Sequence, residues 1–319
     1  GMATVVSQAQ LIEFTSPDYT NGVLNGQQSW NAEPGWTVAD AAGAGNASTA
    51  VTGEAAVFDD PIQLSIGGSY SLSVNLQFGG GPYSTPTAFV YAFLGGLKDS
   101  NTGASVGTGS PAADANIQII QNTDNYRLLN NFATVPGAAS ITGTQLDAGD
   151  ILQYDYILTL GADAGSTFYT VRLQNLTDGT DTGTGTVTGV DASIYTALTG
   201  TGAFGFFQSI NPGGGASGLS GVQVNSVNID VVVPPAPLVW DGNLGSDWDT
   251  TTLNWKSNGV AIAYADGAAV TFLDGATTGT VDLNATVMPQ SIVISNQSLA
   301  YRVDTTSFAG AINGATTVN

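Results

Sequence analysis

From Tyr70 to Phe78 the chain alternates without a break: Tyr70, Leu72, Val74, Leu76 and Phe78 are apolar, and Ser71, Ser73, Asn75 and Gln77 between them are polar. Side chains of an extended strand point to opposite faces with a period of two, so this stretch predicts a half-buried antiparallel strand. The pattern returns in Ile151 to Leu160, where Leu152, Tyr154, Tyr156, Leu158 and Leu160 share a face, and in Phe168 to Leu176, with Tyr169, Val171 and Leu173 inward. Ala88 to Leu94 is apolar on both faces, which predicts a central strand. Further strands are expected at Ile117 to Ile120 and Ala203 to Gln208. In Val222 to Val233 the apolar parity slips between Val224 and Val227, which predicts a bulge near Asn225-Ser226. Asp191 to Leu198 is the one convincing helical segment in this part, with Asp191 as N-cap and Ile194, Tyr195 and Leu198 at helical spacing. The Gly-, Ser-, Thr- and Ala-rich stretch from Gly95 to Ala115 reads as a long exposed loop.

Three prolines in four residues, Pro234, Pro235 and Pro237, cannot donate to a ladder and favour an extended connector. They divide the chain into residues 3–233, a linker at 234–238, and residues 239–319. Beyond the linker, turn dipeptides crowd together: Asp241-Gly242, Asn258-Gly259, Asp266-Gly267 and Asp274-Gly275, with short strands expected at Ala269 to Leu273, Gly279 to Leu283, Ser291 to Ile294 and Leu299 to Val303. Such spacing suits a β-meander or the first coils of a β-solenoid. Gly310 to Asn319 show no terminating pattern, so further sequence is expected after them.

The chain carries 25 acidic against five basic residues, a formal charge of −20, and so offers no basic patch for phosphates. Nucleic acid and anionic membrane surfaces are excluded as partners on that ground, and no apolar run reaches the roughly 20 residues of a membrane-spanning helix. Cysteine is absent, which removes disulfides and thiolate metal sites. Histidine is absent too, which removes Ser-His-Asp catalysis and imidazole general bases. Gly1-Met2 reads as a tag remnant and start residue, so a removed leader and a secreted or cell-surface setting are expected.

What chemistry remains is that of carboxylates, amides, hydroxyls and aromatic rings. Sugar binding needs a planar ring against the C–H face of the sugar and polar groups for its hydroxyls. Trp30, Trp36 and Tyr83 are the candidate platforms, and Asp124-Asn125-Tyr126-Arg127 supplies polar partners with a further ring. For the two tryptophans the competing expectation is core packing. Calcium is the ion that the many aspartates suit; Asp59-Asp60 is the first candidate site, and Asp241 with Asn243, Asp247 and Asp249 the second. Asp181-Thr182-Gly183 matches the aspartic-protease triplet, but no second copy exists to share the proton, and a solvated turn is expected.

Two resemblances add to this. Val239-Trp240-Asp241-Gly242, Trp248, Asn254-Trp255, Asp266 to Phe272 and Thr280 to Leu283 resemble the autotransporter-associated β-strand repeat of large bacterial surface and secreted proteins. That resemblance implies export and a surface or adhesive setting. Gly22 to Gln27, Gly68 to Ser73 and Ala148 to Leu152 resemble the concanavalin A-like jelly roll of the lectin and glucanase type, a fold that hosts both binders and hydrolases. Glucanases of that type carry clustered glutamates in an E-x-D-x-x-E pattern, whereas the only glutamates here are Glu13, Glu33 and Glu54, each in a different segment. The expected fold is therefore all-β, a jelly-roll β-sandwich of the concanavalin A-like type plus a smaller C-terminal meander or solenoid. The expected function is a non-catalytic carbohydrate-binding or adhesive module whose partner is a polysaccharide or glycan surface. A structural spacer with no small ligand, and a glycoside hydrolase using aspartates, are the alternatives.

Overall fold

A computed structural model describes residues 6–7, 9–39, 42–50, 54–80, 90–102, 112–119, 126–130, 133–141, 146, 149–209, 219–305, 310–313 and 317–318. Among the described residues the regular elements are strands apart from one helix, and the chain divides into two compact units, Ser7–Val232 and a second that contains everything from Val233 onward. The strand Leu219–Val233 runs up to that division, and the next strand, Leu238–Trp240, begins beyond the prolines.

The larger unit is a sandwich of two sheets. In one, antiparallel ladders join Gly185–Thr188, Phe168–Asn175, Leu152–Thr159, Ser69–Gly80, Leu219–Val233, Asn46–Thr49, Thr37–Ala39 and Gly22–Val23 in that spatial order. Val6–Ser7 and Gln10–Ile12 also pair with Leu219–Val233, making ten strands. The other sheet has seven, ordered Ala133–Thr134, Tyr126–Asn130, Ala112–Ile119, Val90–Lys98, Phe204–Ser209, Ala55–Phe58 and Trp30–Ala32. The chain changes sheet repeatedly between consecutive strands, which gives the jelly-roll connectivity.

The alternation decides what lies between the sheets. Tyr70, Leu72, Val74, Leu76, Tyr154, Tyr156 and Tyr169 from the ten-stranded sheet meet Phe93, Leu97, Ile117, Leu128 and Phe207 from the seven-stranded one in a single buried cluster. Each such aromatic removed from water contributes roughly 2–3 kcal/mol. Tyrosine hydroxyls cross the core to reach backbone acceptors: Tyr154 Oη donates to Gly95 O (2.8 Å) and Ala115 O (2.9 Å), and Tyr169 Oη to Asp114 O (2.7 Å). Close approach of this kind requires bare backbone on the opposite sheet. A Cβ on Gly205 would lie 2.1 Å from Tyr70 Oη, and one on Gly95 2.9 Å from Tyr154 Cε1.

The register of Leu219–Val233 shifts between Val224 and Ser226, so the bulge falls where the parity slip places it and both Val224 and Val227 stay buried. Helix Ala192–Thr199 starts at Asp191, whose Oδ1 accepts the Ser193 N–H (2.8 Å), and it buries Ile194, Ala197 and Leu198. One expectation fails: Gly95 to Ala115 is not a single loop. The central strand runs on through Gly95, Gly96 and Leu97 to Lys98, and its neighbour begins at Ala112, since glycine and alanine there make room for tyrosines rather than marking a turn.

In the C-terminal unit the chain returns parallel to itself. Leu238–Trp240, Ala269–Leu273, Ser291–Ser295 and Thr317–Val318 form one parallel ladder; Asp247–Trp248, Thr280–Leu283 and Arg302–Asp304 a second; Thr286–Val287 and Ala311–Ile312 a third. Val270 pairs with Ile292 and Thr280 with Arg302, each a return of 22 residues, while Leu238 meets Val270 after 32, Asp247 meets Asp282 after 35 and Ser291 meets Thr317 after 26. That is a solenoid, not a meander. A hairpin, Trp255–Ser257 with Val260–Ile262, closes on Asn258 and Gly259, both at positive φ (49° and 81°) as a two-residue turn demands. Trp240, Trp248, Trp255, Tyr264 and Phe272 fill the interior, with Trp248 and Trp255 edge to face at 5.0 Å. One carboxylate staples successive coils: Asp274 accepts the backbone N–H groups of Gln297, Ser298 and Leu299 at 2.8–3.0 Å, which holds its pKa down to about 2.

Two outcomes follow from this packing. Gly205→Ala is expected to lose about 1–3 kcal/mol by overpacking. Tyr70→Phe is expected to stay within about 1 kcal/mol of the parent, because the Tyr70 hydroxyl is buried and has no hydrogen-bond partner among the described residues. The double variant should recover part of the Gly205→Ala loss, all read as denaturant midpoints. For Asp274, the folded pKa lies below the ordinary value of 3.8, so its stabilisation is complete above about pH 4 and disappears as pH falls towards 2. Asp274→Ala should therefore lower the stability of the C-terminal unit at neutral pH and flatten its acid transition, followed by tryptophan fluorescence.

Candidate functional site

Residues that alternate away from a tyrosine-filled core must face out, and on the ten-stranded sheet they form an ordered polar array. Register sets the rows. Asn228, Ser73, Asp155 and Arg172 lie side by side on four adjacent strands; Asp230, Ser71, Ile157, Thr170 and Thr186 form the next row; Ser69, Thr159, Phe168 and Thr188 the one after. A depression of about 300 Å³ opens in the middle, lined by Ser71, Ser73, Asp155, Ile157, Thr170, Arg172, Thr184 and Asn228. Ile157 is 44% exposed and Phe168, diagonal to it, 36%, so a small apolar step interrupts the polar floor.

The polar side chains are held by one another. Ser73 Oγ and Gln153 Nε2 (3.1 Å) both donate to Asp155 Oδ1, while Asp155 Oδ2 accepts no hydrogen bond among the described residues. Arg172, the register partner of Asp155, forks onto Asp181 through Nε (3.1 Å to each oxygen) and a terminal nitrogen. That fork raises the guanidinium pKa and lowers the Asp181 pKa. The Asp-Thr-Gly triplet is thus an arginine-paired turn in which Asp181 Oδ1 also accepts the Gly183 N–H (2.7 Å). Further along the sheet, Asn225 Nδ2 donates to Asn75 Oδ1 (2.9 Å) and Gln223 Nε2 to Asn225 Oδ1 (2.7 Å).

Of the candidate sugar- and calcium-site residues that the structure describes, none lies in this array. Trp30 and Trp36 are corrected from platforms to core: they are 3% and 0% exposed, and their indole N–H groups donate to Tyr19 Oη (2.9 Å) and Glu54 O (3.1 Å). A ring enclosed on both faces cannot stack on a ligand. Tyr126 is buried with its hydroxyl 2.8 Å from Thr180 Oγ1, and Arg127 donates to Gln118 Oε1 (2.9 Å). Tyr83, Asp124 and Asn125 lie outside the described residues. Asp59 accepts from Asn101 Nδ2 (2.8 Å), Asp60 is exposed, and among the described residues no three His, Cys, Asp or Glu side chains gather as a metal site. In the second calcium candidate Asp241 pairs with Lys256 (2.6 Å), Asp247 accepts from Asn284 Nδ2 (2.5 Å), and Asp249 caps Thr251 and Thr252.

The lining of the depression offers hydroxyls, one amide, one guanidinium and one carboxylate, groups that hydrogen-bond. Glycoside hydrolysis needs one carboxyl held protonated beside one held ionised. On this face Asp181 is kept ionised by Arg172, and Asp155 stands without a second acid in the lining. Glu33 and Glu54 are committed elsewhere, accepting the backbone N–H groups of Ala55 (2.7 Å) and Gly35 (3.1 Å).

The outer face of the seven-stranded sheet is built differently. Val57, Leu94 and Phe206 make a small buried cluster there, beside the buried polar side chains Gln118 and Gln208. Asp114 projects from the same face next to the bare Gly96, and burial pushes its carboxyl up to about 7.

No protein-family model matches the sequence, and no curated protein is similar to it. Among solved structures the chain is similar to peanut lectin in complex with a 9-mer peptide (TM-score 0.46, 14% identity, 71% of this chain and 97% of that one). It is also similar to arcelin-5, a lectin-like defence protein from Phaseolus vulgaris (TM-score 0.44, 11%, 70% and 98%), and to lectin II from Ulex europaeus (TM-score 0.42, 13%, 70% and 98%). The likeness concerns the outline of the fold, and no residue or ligand is carried across from it.

Because Asp114 has a folded pKa above its unfolded one, the folded state binds the proton more tightly between about pH 4 and 7, and stability should fall as pH rises through that window. Asp114→Asn should match the parent near about pH 4 and exceed it by about 1–3 kcal/mol near about pH 8, measured by urea denaturation at each pH.

Proposed function

We propose that this protein is a non-catalytic carbohydrate-binding module, displayed outside the cell, that holds a glycan on the outer face of its ten-stranded sheet and is carried on a β-solenoid segment. The observation that carries this reading is the depression around Asp155. Hydroxyls, the Asn228 amide and a carboxylate with one oxygen unengaged among the described residues surround an exposed aliphatic step, which is the mix of donors, acceptors and apolar contact that a sugar ring presents in reverse. The lectins named above agree with this in outline only. The C-terminal coils suit a repeat segment of a larger surface protein, in keeping with the resemblance of residues 239–319 to repeats of exported bacterial proteins.

A glycan array probed with the whole chain, followed by calorimetry on the hits, tests the proposal. Asp155→Ala should weaken binding roughly 10- to 100-fold, the worth of a charge-assisted hydrogen bond of about 1.5–3 kcal/mol, and Ile157→Asp should abolish it. Retention of no glycan at all would sink the proposal and leave the spacer reading in its place. Release of reducing sugar from a bound polysaccharide would overturn its non-catalytic part.

A further inference from the structure

We infer that the depression selects a sugar carrying a free, protonated amine over its acylated or acidic counterparts. This rests on the glycan-binding reading above and sharpens it. Asp155, in the lining of the depression, receives both of its protein donors, Ser73 and Gln153, on Oδ1, so the carboxylate is oriented while Oδ2 has no partner among the described residues. The one base beside it in register, Arg172, would neutralise it if turned inward, yet its fork is committed to Asp181. Asp155 makes no ion pair among the described residues.

The surroundings act in the same direction. On these rows the charged residues are Asp155 and Asp230 against Arg172, two acids to one base, and that base is itself paired with Asp181, within a chain of net charge −20. An ammonium brought to Asp155 Oδ2 gains the direct pair and the long-range field; a uronate or sulfate is repelled by both. A neutral hydroxyl gains only the hydrogen bond. Ammonium groups carry three donors, and the hydroxyls of Ser71 and Thr170 in the same lining are acceptors for the other two.

The test is calorimetry on the intact chain with three oligomers: glucosamine, its N-acetylated form, and galacturonate. The glucosamine oligomer should bind about 10-fold more tightly than the acetylated one, the gap should narrow at high salt, and galacturonate should bind weakest. Asp155→Asn is isosteric and keeps an acceptor for Ser73 and Gln153, so it should leave the thermal midpoint near that of the parent while bringing the first two oligomers to equal affinity. Equal or tighter binding of the acetylated oligomer by the parent would overturn the inference and leave the glycan-binding proposal standing. A preference for the amine that survives in Asp155→Asn would also overturn it, since the selection would then lie elsewhere. Failure of all three oligomers, and of every glycan on the array, would remove both.

Discussion

The larger unit depends on tyrosines that span the gap between its two sheets. Tyr154 and Tyr169 grow from the ten-stranded sheet, cross the apolar layer, and end on backbone carbonyls of the seven-stranded one. A buried phenol is tolerable only when its hydroxyl is satisfied or its desolvation is offset by packing. Here the first condition sets the spacing of the sheets and the second explains Tyr70 and Tyr156, whose hydroxyls have no partner among the described residues. The glycines opposite them follow from the same requirement, since the backbone has to come within hydrogen-bonding distance of a ring tip.

Committing one face of these strands to the core leaves the other face to solvent, and this links the fold to the site. Ser73, Asp155 and Arg172 stand in a row because Leu72, Tyr156 and Val171 stand in another on the reverse side of the same strands. Strands anchored this firmly on the inside form a stiff floor, so polar groups on the outside are held in place before any ligand arrives.

The architecture was largely legible in the sequence. Strict alternation at Tyr70 to Phe78 and Leu152 to Leu160 leaves one solution, and the parity slip before Val227 shows as a bulge because a strand cannot otherwise keep both halves inward. The turn dipeptides of the last part marked strands but not their direction, which is set by contacts between residues 22 to 35 apart rather than by local chemistry. The site was legible only in part. Ser71, Ser73, Asn75 and Gln77 were visible as an outward polar face, yet no local signal says that Asp155 and Arg172 lie beside them, because that depends on strand order. Tryptophans misled for a physical reason: an indole has the shape of a stacking platform and also the greatest gain from burial. Trp30 and Trp36 took the second course, each ending on a hydrogen-bond acceptor in the core.

Each coil of the C-terminal unit touches its predecessor through in-register ladders, with corner carboxylates such as Asp274 tying one layer to the next. Because each coil contacts only its neighbours, a whole coil can be added to or taken from such a stack while the other coils keep their own pairing. Length in such a segment can therefore vary over evolution in discrete steps of about 4.8 Å, one strand spacing at a time, with no redesign of the sandwich that precedes it.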